Sequence, residues 1–226
     1  MMSYLNTLLF GIYPYIALAV LFIGSWARYD HAQFTWKAGS TQMLRKKGMS
    51  LASNLFHIGI LVIFFGHLVG LLAPKWMYEP FMTPGQKQVM AIVVGGIAGA
   101  MCLVGAAMLF YRRLTDARVR AAGSFGDTLI IGLLLAQVVL GMLTILPTLG
   151  HLDGSEMLKF SAWAQGIFTF QGGAADHIAD VHWIYKSHIF LGLTLFVVFP
   201  FTRLVHALSV PMEYLGRKYQ VVRKRA

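Results

Sequence analysis

The chain has 226 residues, 57% of them apolar (AVILMFWYC) and only 12% charged, where soluble domains carry roughly 25% charged residues; its mean hydropathy is +0.64. That balance argues against a soluble enzyme, a disordered protein or a disulfide scaffold, and the single cysteine, Cys102, permits no internal disulfide, no CxxC pair and no C-x-x-C-H haem attachment. The formal net charge of +10 flanks apolar runs instead of forming one patch, which points to a bilayer and not to nucleic acid.

Taken in chain order, five stretches can cross a bilayer as helix, which needs about 20 apolar residues. They are Leu5–Ala27, Met49–Leu72, Val89–Tyr111, Thr128–Leu146 and Ser187–Leu208. The first lacks a basic n-region and a small-residue cleavage site, so it reads as a retained helix and not as a signal peptide. Gly66-x-x-x-Gly70 in the second span and Gly95-x-x-x-Gly99 in the third predict close helix approach. Within the longest connection, Pro147–Lys186, residues 155–170 place apolar side chains at helical spacing and predict an interfacial helix, followed by a turn at 171–176. Pro200 predicts a kink in the fifth span. No repeat, low-complexity tract or linker divides the chain. Residues 1–226 therefore read as one all-α membrane domain, a bundle of five transmembrane helices.

Charge orients the bundle. Connections 28–47 and 112–120, with the tail from Arg203 onward, hold all of the 19 Lys and Arg except Lys75, Lys87, Lys159 and Lys186. Positive charge stays on the cytoplasmic side, so the N-terminus is expected outside (periplasmic) and the C-terminus in the cytoplasm.

Ionisable residues inside a membrane are costly and mark functional sites by default. Four of the eight histidines fall in the spans: His57 and His67 on the second, His188 and His206 on the fifth. The two spans run in opposite directions, which pairs His57 with His206 and His67 with His188. Ten residues give a rise of about 15 Å and eighteen about 27 Å, a mean near 21 Å with each pair offset by about 6 Å. Eighteen residues are five full turns, so an unbroken helix puts His188 and His206 on one face; ten residues leave His57 and His67 roughly 80° apart. Two imidazole pairs stacked across a bilayer suit two non-covalent, bis-histidine b haems. Zinc would want four ligands per site, and a proton relay would usually include acidic residues, of which no span has one at its middle. Gly59, Gly66 and Gly192 leave room for a flat macrocycle, or are simply the glycines common in such helices. Phe56, Phe64, Phe65, Phe190 and Phe196 read as lipid or helix contacts, and the twelve dispersed methionines as packing.

At these residues the sequence resembles a known family. Asn54-Leu-Phe-His-Ile-Gly-Ile, Gly66-His67, Trp76-Met-Tyr-Glu and Asp153-Gly-Ser-Glu-Met resemble the gamma subunit of membrane-bound respiratory nitrate reductase. So does the stretch from Ser187-His188 through Phe199-Pro-Phe and Arg203-Leu-Val-His206 to Ser209-Val-Pro-Met-Glu-Tyr-Leu, together with Ile12-Tyr-Pro-Tyr-Ile and Gly24-Ser-Trp. The resemblance implies a di-haem cytochrome b of the bacterial inner membrane, part of a quinol:nitrate oxidoreductase. His57 and His206 would ligate the haem iron nearer the cytoplasm, His67 and His188 the outer one. Ubiquinol or menaquinol would be oxidised near the outer haem. Electrons would reach an iron–sulfur beta subunit and then a molybdenum alpha subunit, which reduces nitrate. The resemblance gives Lys87 a role in binding quinol or easing its deprotonation, where the residue alone reads as an ordinary interfacial lysine, and Gly66 would leave room for the quinone ring. Arg203, one turn from His206, is a candidate partner for haem propionates; Arg112, Arg113 and the tail either dock the soluble subunits or merely set topology. Related cytochromes b serving heterodisulfide- or sulfite-type reductases, and a histidine-containing proton or metal transporter, are the competing readings.

Overall fold

The computed structural model describes residues 2–209 and Gly216, and among these there is no β-strand. Among the described residues five helical segments are long and apolar enough to span a bilayer: Tyr4–Thr35, Met49–Leu72, Pro84–Thr115, Phe125–Thr148 and Trp183–Phe201. The basic tail residues beyond position 209 (Arg217, Lys218, Arg223, Lys224, Arg225) lie outside the described residues.

Local chemistry explains where the elements start and stop. The second span follows Gly48, whose φ of +72° only glycine adopts cheaply, and it ends just before Pro74. The third and fourth spans begin earlier than hydropathy alone predicts, because each is opened by a capping box. Thr83 Oγ1 accepts from Gln86 N and the Thr83 N–H donates to Gln86 Oε1 in return, with Pro84 at the first helical position; Ser124 and Asp127 do the same for the fourth. The first span contains two five-residue π-helical segments, Leu8–Ile12 and Val20–Gly24.

The fifth span departs most from expectation. It does not kink at Pro200; it breaks. Regular helix runs Trp183–Val198, a 3₁₀ turn covers Phe199–Phe201, Thr202 is extended, and a separate 3₁₀ segment, Arg203–Leu208, carries His206. The five-turn argument that aligned His188 with His206 therefore does not apply. Pro200 removes an N–H from the ladder, and two carbonyls at the break find a donor in the first span. Arg28 Nη1 lies 2.7 Å from both Pro200 O and Thr202 O. Thr202 Oγ1 caps the new segment by accepting from Leu204 N at 3.3 Å.

Glycines set the close packing, and of the predicted patterns only Gly99 takes part. A Cβ on Gly59 would stand 2.6 Å from Ala98 O and 2.7 Å from Cys102 N, and one on Gly105 would stand 2.8 Å from Ala52 O. The second and third spans thus meet backbone to backbone. Gly66, Gly70 and Gly95 face open space, while Gly99 receives Met142 of the fourth span. Along the second span Leu61, Phe64, Phe65, Leu68 and Val69 are exposed, as a hydrocarbon solvent demands.

Arginines tie the basic end together. Arg112 is 7% exposed and donates to Thr41 Oγ1 and Thr41 O at 2.6 Å each and to Arg45 O at 3.0 Å. Asp127 lies between Arg203 Nε (3.0 Å) and Arg113 Nη1 (3.7 Å). Asp116 caps the short helix Ala117–Ala121, and the backbone N–H of Val119 leads the causes that hold its carboxyl below the usual range.

At the opposite end the helix expected at the interface forms as Ser155–Phe168, but it is built into the core. Trp163, Ala164 and Ile167 are buried with Phe10, Ala174 and Ile178. Trp163 Nε1 donates to Phe10 O at 2.9 Å, and Gln165 Nε2 to Leu71 O at 3.1 Å. Lys159 Nζ joins Asp180 (2.8 Å) and Glu156 (3.2 Å). The turn expected at 171–176 runs into a 3₁₀ segment, Ala174–Ile178.

Candidate functional site

The second span presents His57 and His67 toward the fifth. Each ring is held by the carbonyl one turn back: His57 Nδ1 lies 2.7 Å from Ser53 O, and His67 Nδ1 lies 2.8 Å from Ile63 O. His206 is held likewise by Arg203 O at 2.5 Å. A carbonyl only accepts, so Nδ1 carries the proton in these three rings and Nε2 keeps a free lone pair. That is the tautomer a metal ligand requires.

The rings meet in two pairs. His57 and His206 have centroids 6.3 Å apart with planes at 72°; His67 and His188 have centroids 6.1 Å apart with planes at 43°. Two imidazoles binding one metal from opposite sides, with metal–nitrogen bonds of about 2 Å, would place their centroids roughly 6 Å apart. Among the described residues no group of three or more His, Cys, Asp or Glu stands close enough to hold a metal ion. Each pair thus offers two imidazoles at that separation, a donor set that fits a metal whose remaining ligands come from its own macrocycle.

His188 differs from the other three. Its Nδ1 is buried with no hydrogen-bond partner. Its ring rests against Gly141 of the fourth span, where a Cβ would come within 3.0 Å of Cε1. Gln137 Nε2 donates to His188 O at 3.1 Å and stands 3.5 Å from His188 Nε2. Gln137 was missed from sequence, although an uncharged amide inside the apolar run Thr128–Leu146 is the kind of signal that invites attention.

Lys87 does not snorkel to water. It is 5% exposed, its Nζ has no hydrogen-bond partner, and it stands 3.9 Å from the centroid of the Tyr78 ring. Tyr78 was also missed; it lies outside the spans, on the short helix Lys75–Tyr78. Beside His67, Gly66 has no atom within 4 Å of where a Cβ would be. Gly59 is taken up by helix packing, and Gly192 admits the Gln137 amide, 3.1 Å from its Cβ position; neither lines an open cleft. Arg203 is paired with Asp127 and donates to Gly39 O at 2.5 Å. Two of the remaining histidines make local contacts: His31 Nδ1 lies 3.0 Å from Ala27 O, and His182 Nδ1 caps the fifth helix by accepting from Ile184 N at 3.3 Å.

A family model described as nitrate reductase gamma subunit matches residues 6–225. The chain is 55% identical over 224 residues to the respiratory nitrate reductase 1 gamma chain of Escherichia coli (strain K12), covering 99% of this chain and 100% of that one. It is 52% identical over 225 residues to the respiratory nitrate reductase 2 gamma chain of the same organism, covering 100% of both. It is 36% identical over 220 residues to the nitrate reductase gamma chain of Bacillus subtilis (strain 168), covering 97% and 98%.

Proposed function

The chain belongs to the nitrate reductase gamma subunit family, and from that membership we propose that it is the membrane-anchoring di-haem cytochrome b of a respiratory nitrate reductase, oxidising quinol at its outer end. It is a multi-pass inner-membrane subunit of an enzyme complex whose nitrate chemistry lies on other subunits. The observation that carries the proposal is the double pairing, His57 with His206 at 6.3 Å and His67 with His188 at 6.1 Å.

The basic end faces the cytoplasm, following the charge asymmetry, with the N-terminus outside and residues 1–226 forming one membrane domain. There the chain docks the iron–sulfur beta and molybdenum alpha subunits. His57 and His206 hold the inner haem b, His67 and His188 the outer one. When bound, these groups supply one-electron redox chemistry at two depths of the bilayer. Arg203 is the proposed propionate partner of the inner site. Two guanidinium groups, Arg113 and Arg203, share the single carboxylate of Asp127, which leaves positive charge for a second anion.

At the outer end Lys87 and Gly66 form the quinol site. Gly66 leaves the flank of His67 open to a flat ring. The Lys87 ammonium, buried and without a hydrogen-bond acceptor, donates to a quinol oxygen and lowers the cost of removing its proton. Ubiquinol and menaquinol both present such an oxygen. Protons released outside while electrons go to the cytoplasmic side separate charge across the membrane, at about 2.3 kcal/mol per charge per 100 mV.

The absorption spectrum of the purified complex tests this reading. Two low-spin b haems per chain are expected. A folded preparation with no haem in this subunit overturns it and favours a histidine-lined transporter.

A further inference from the structure

Three of the four paired histidines have Nδ1 bound to a main-chain carbonyl; His188 has none. What holds it instead comes from the fourth span. Gly141 lets the ring lie flush against that helix, since a Cβ there would crowd Cε1 at 3.0 Å. Gln137 reaches the same ring one turn away, with its amide nitrogen 3.1 Å from His188 O and 3.5 Å from His188 Nε2. Gly192, one turn further along the fifth helix, makes room for that amide. A side-chain amide in the middle of a membrane helix is costly unless it is satisfied, yet Gln137 Oε1 is buried with no partner. Half of the amide's hydrogen-bonding capacity is left unused, and the half that is used is spent at His188.

We propose that Gln137 is the positioning residue of the outer histidine pair: bound to His188 O and backed by Gly141 it orients the His188 ring, and the positive end of its amide dipole, lying beside that ring, raises the midpoint potential of the outer haem. The inference rests on the proposed assignment of His67 and His188 as axial ligands. The N–H₂ end of an amide carries its positive partial charge. Positive charge beside an axial ligand stabilises the electron-richer state of the group it holds, and hydrogen bonds around a ligand are an established lever on haem potential. Among the described residues no side-chain amide is bonded at the inner pair, where His57 and His206 are oriented by carbonyls of their own segments. The amide therefore acts on the outer site alone.

The test is an equilibrium redox titration of the membrane-bound holo complex, followed at the b-haem absorption band and by low-temperature electron paramagnetic resonance. It compares wild type, Gln137→Met, Gln137→Glu and His188→Ala. Gln137→Met, similar in volume, is expected to keep both haems, lower the midpoint potential of one and move its low-spin resonance. That haem is the one missing in His188→Ala. Gln137→Glu, isosteric and acidic, is expected to lower the same potential further, and it decides the matter if the methionine variant does not accumulate. Potentials and resonances unchanged in the Gln137 variants overturn the proposal, as does a shift confined to the haem that survives in His188→Ala. Retention of both haems by His188→Ala overturns instead the ligand assignment beneath it.

Discussion

Arg28, on the first span, donates through Nη1 to Pro200 O at 2.7 Å, at the point where the fifth span stops being a helix. The same nitrogen reaches Thr202 O at 2.7 Å, so one guanidinium satisfies both carbonyls released by the break. Backbone groups cannot be left unpaired at membrane depth. Hydrogen bonds to a charged group contribute about 1.5–3 kcal/mol. Arg28→Gln is expected to lower the thermal midpoint of the complex and to weaken haem retention at the His57–His206 pair before the outer pair. Thermal melts followed at the haem band and by tryptophan fluorescence check this; equal loss from both sites contradicts it.

Pairing makes the four histidines fall into two phenotypes. His57→Ala and His206→Ala are each expected to remove the inner haem, and His67→Ala and His188→Ala the outer one. Haem counting by low-temperature difference spectra of the four variants reads the outcome directly. Loss of the same haem from His57→Ala and His188→Ala refutes the arrangement.

Lys87→Ala is expected to leave both haems in place and to slow their reduction by quinol on the order of 10²-fold, the usual contribution of one acid–base group. Stopped-flow reduction with a quinol analogue measures it, and dithionite reduction serves as the control. Wild-type quinol kinetics would remove Lys87 from the site.

Glycines of similar sequence context are expected to behave oppositely. Gly59→Ala places a methyl 2.6 Å from Ala98 O and is expected to destabilise the bundle by about 1–3 kcal/mol, the range for overpacking a tight interface. Gly66→Ala meets no atom within 4 Å; it should leave the melt unchanged and raise the KM for quinol. A large melting shift from Gly66→Ala, or none from Gly59→Ala, would reverse the packing assignment.

The Lys159–Asp180 pair, at the end of the bundle opposite the arginine cluster, gives a pH dependence with a definite sign. The hydrogen bond from Lys159 depresses the Asp180 carboxyl, and the bond to Asp180 raises the Lys159 ammonium. The depressed carboxyl contributes stability above its unfolded pKa, which is lost as pH falls through its folded value. The raised ammonium contributes below its unfolded pKa, and that part is lost as pH rises through its folded value. Asp180→Asn is expected to lower the melting temperature by the same small amount across neutral pH, with the difference from wild type vanishing in acid below the carboxylate range. A difference that persists there rules out the ion pair as its source.

Much of this architecture is legible in the sequence because bilayer thickness imposes a length and lipid imposes an apolar surface. The second span runs Met49–Leu72 as its hydropathy indicates, bounded by Gly48 and Pro74. Capping chemistry at Thr83–Gln86 and Ser124–Asp127 extends the third and fourth spans past the apolar run, because polar first turns are part of a helix even where hydropathy falls. The histidine pairs follow from antiparallel direction alone. The break at Pro200 was less legible: a proline announces a fault in a helix, but the donor that satisfies the carbonyls of an interruption, Arg28, is distant in the chain. Which glycines pack, and which amide touches His188, depends on the rotation of each helix about its axis, a quantity that a near-uniform apolar sequence scarcely encodes.

Because the fifth span is interrupted between them, His188 and His206 do not ride on one rigid rod. The first belongs to a helix clamped along the fourth span. The second belongs to a short segment fastened by Arg28, Asp127 and Gly39. The two sets of anchors are separate, with the extended residue Thr202 between them. The two imidazole couples thereby keep their alignments independently of one another.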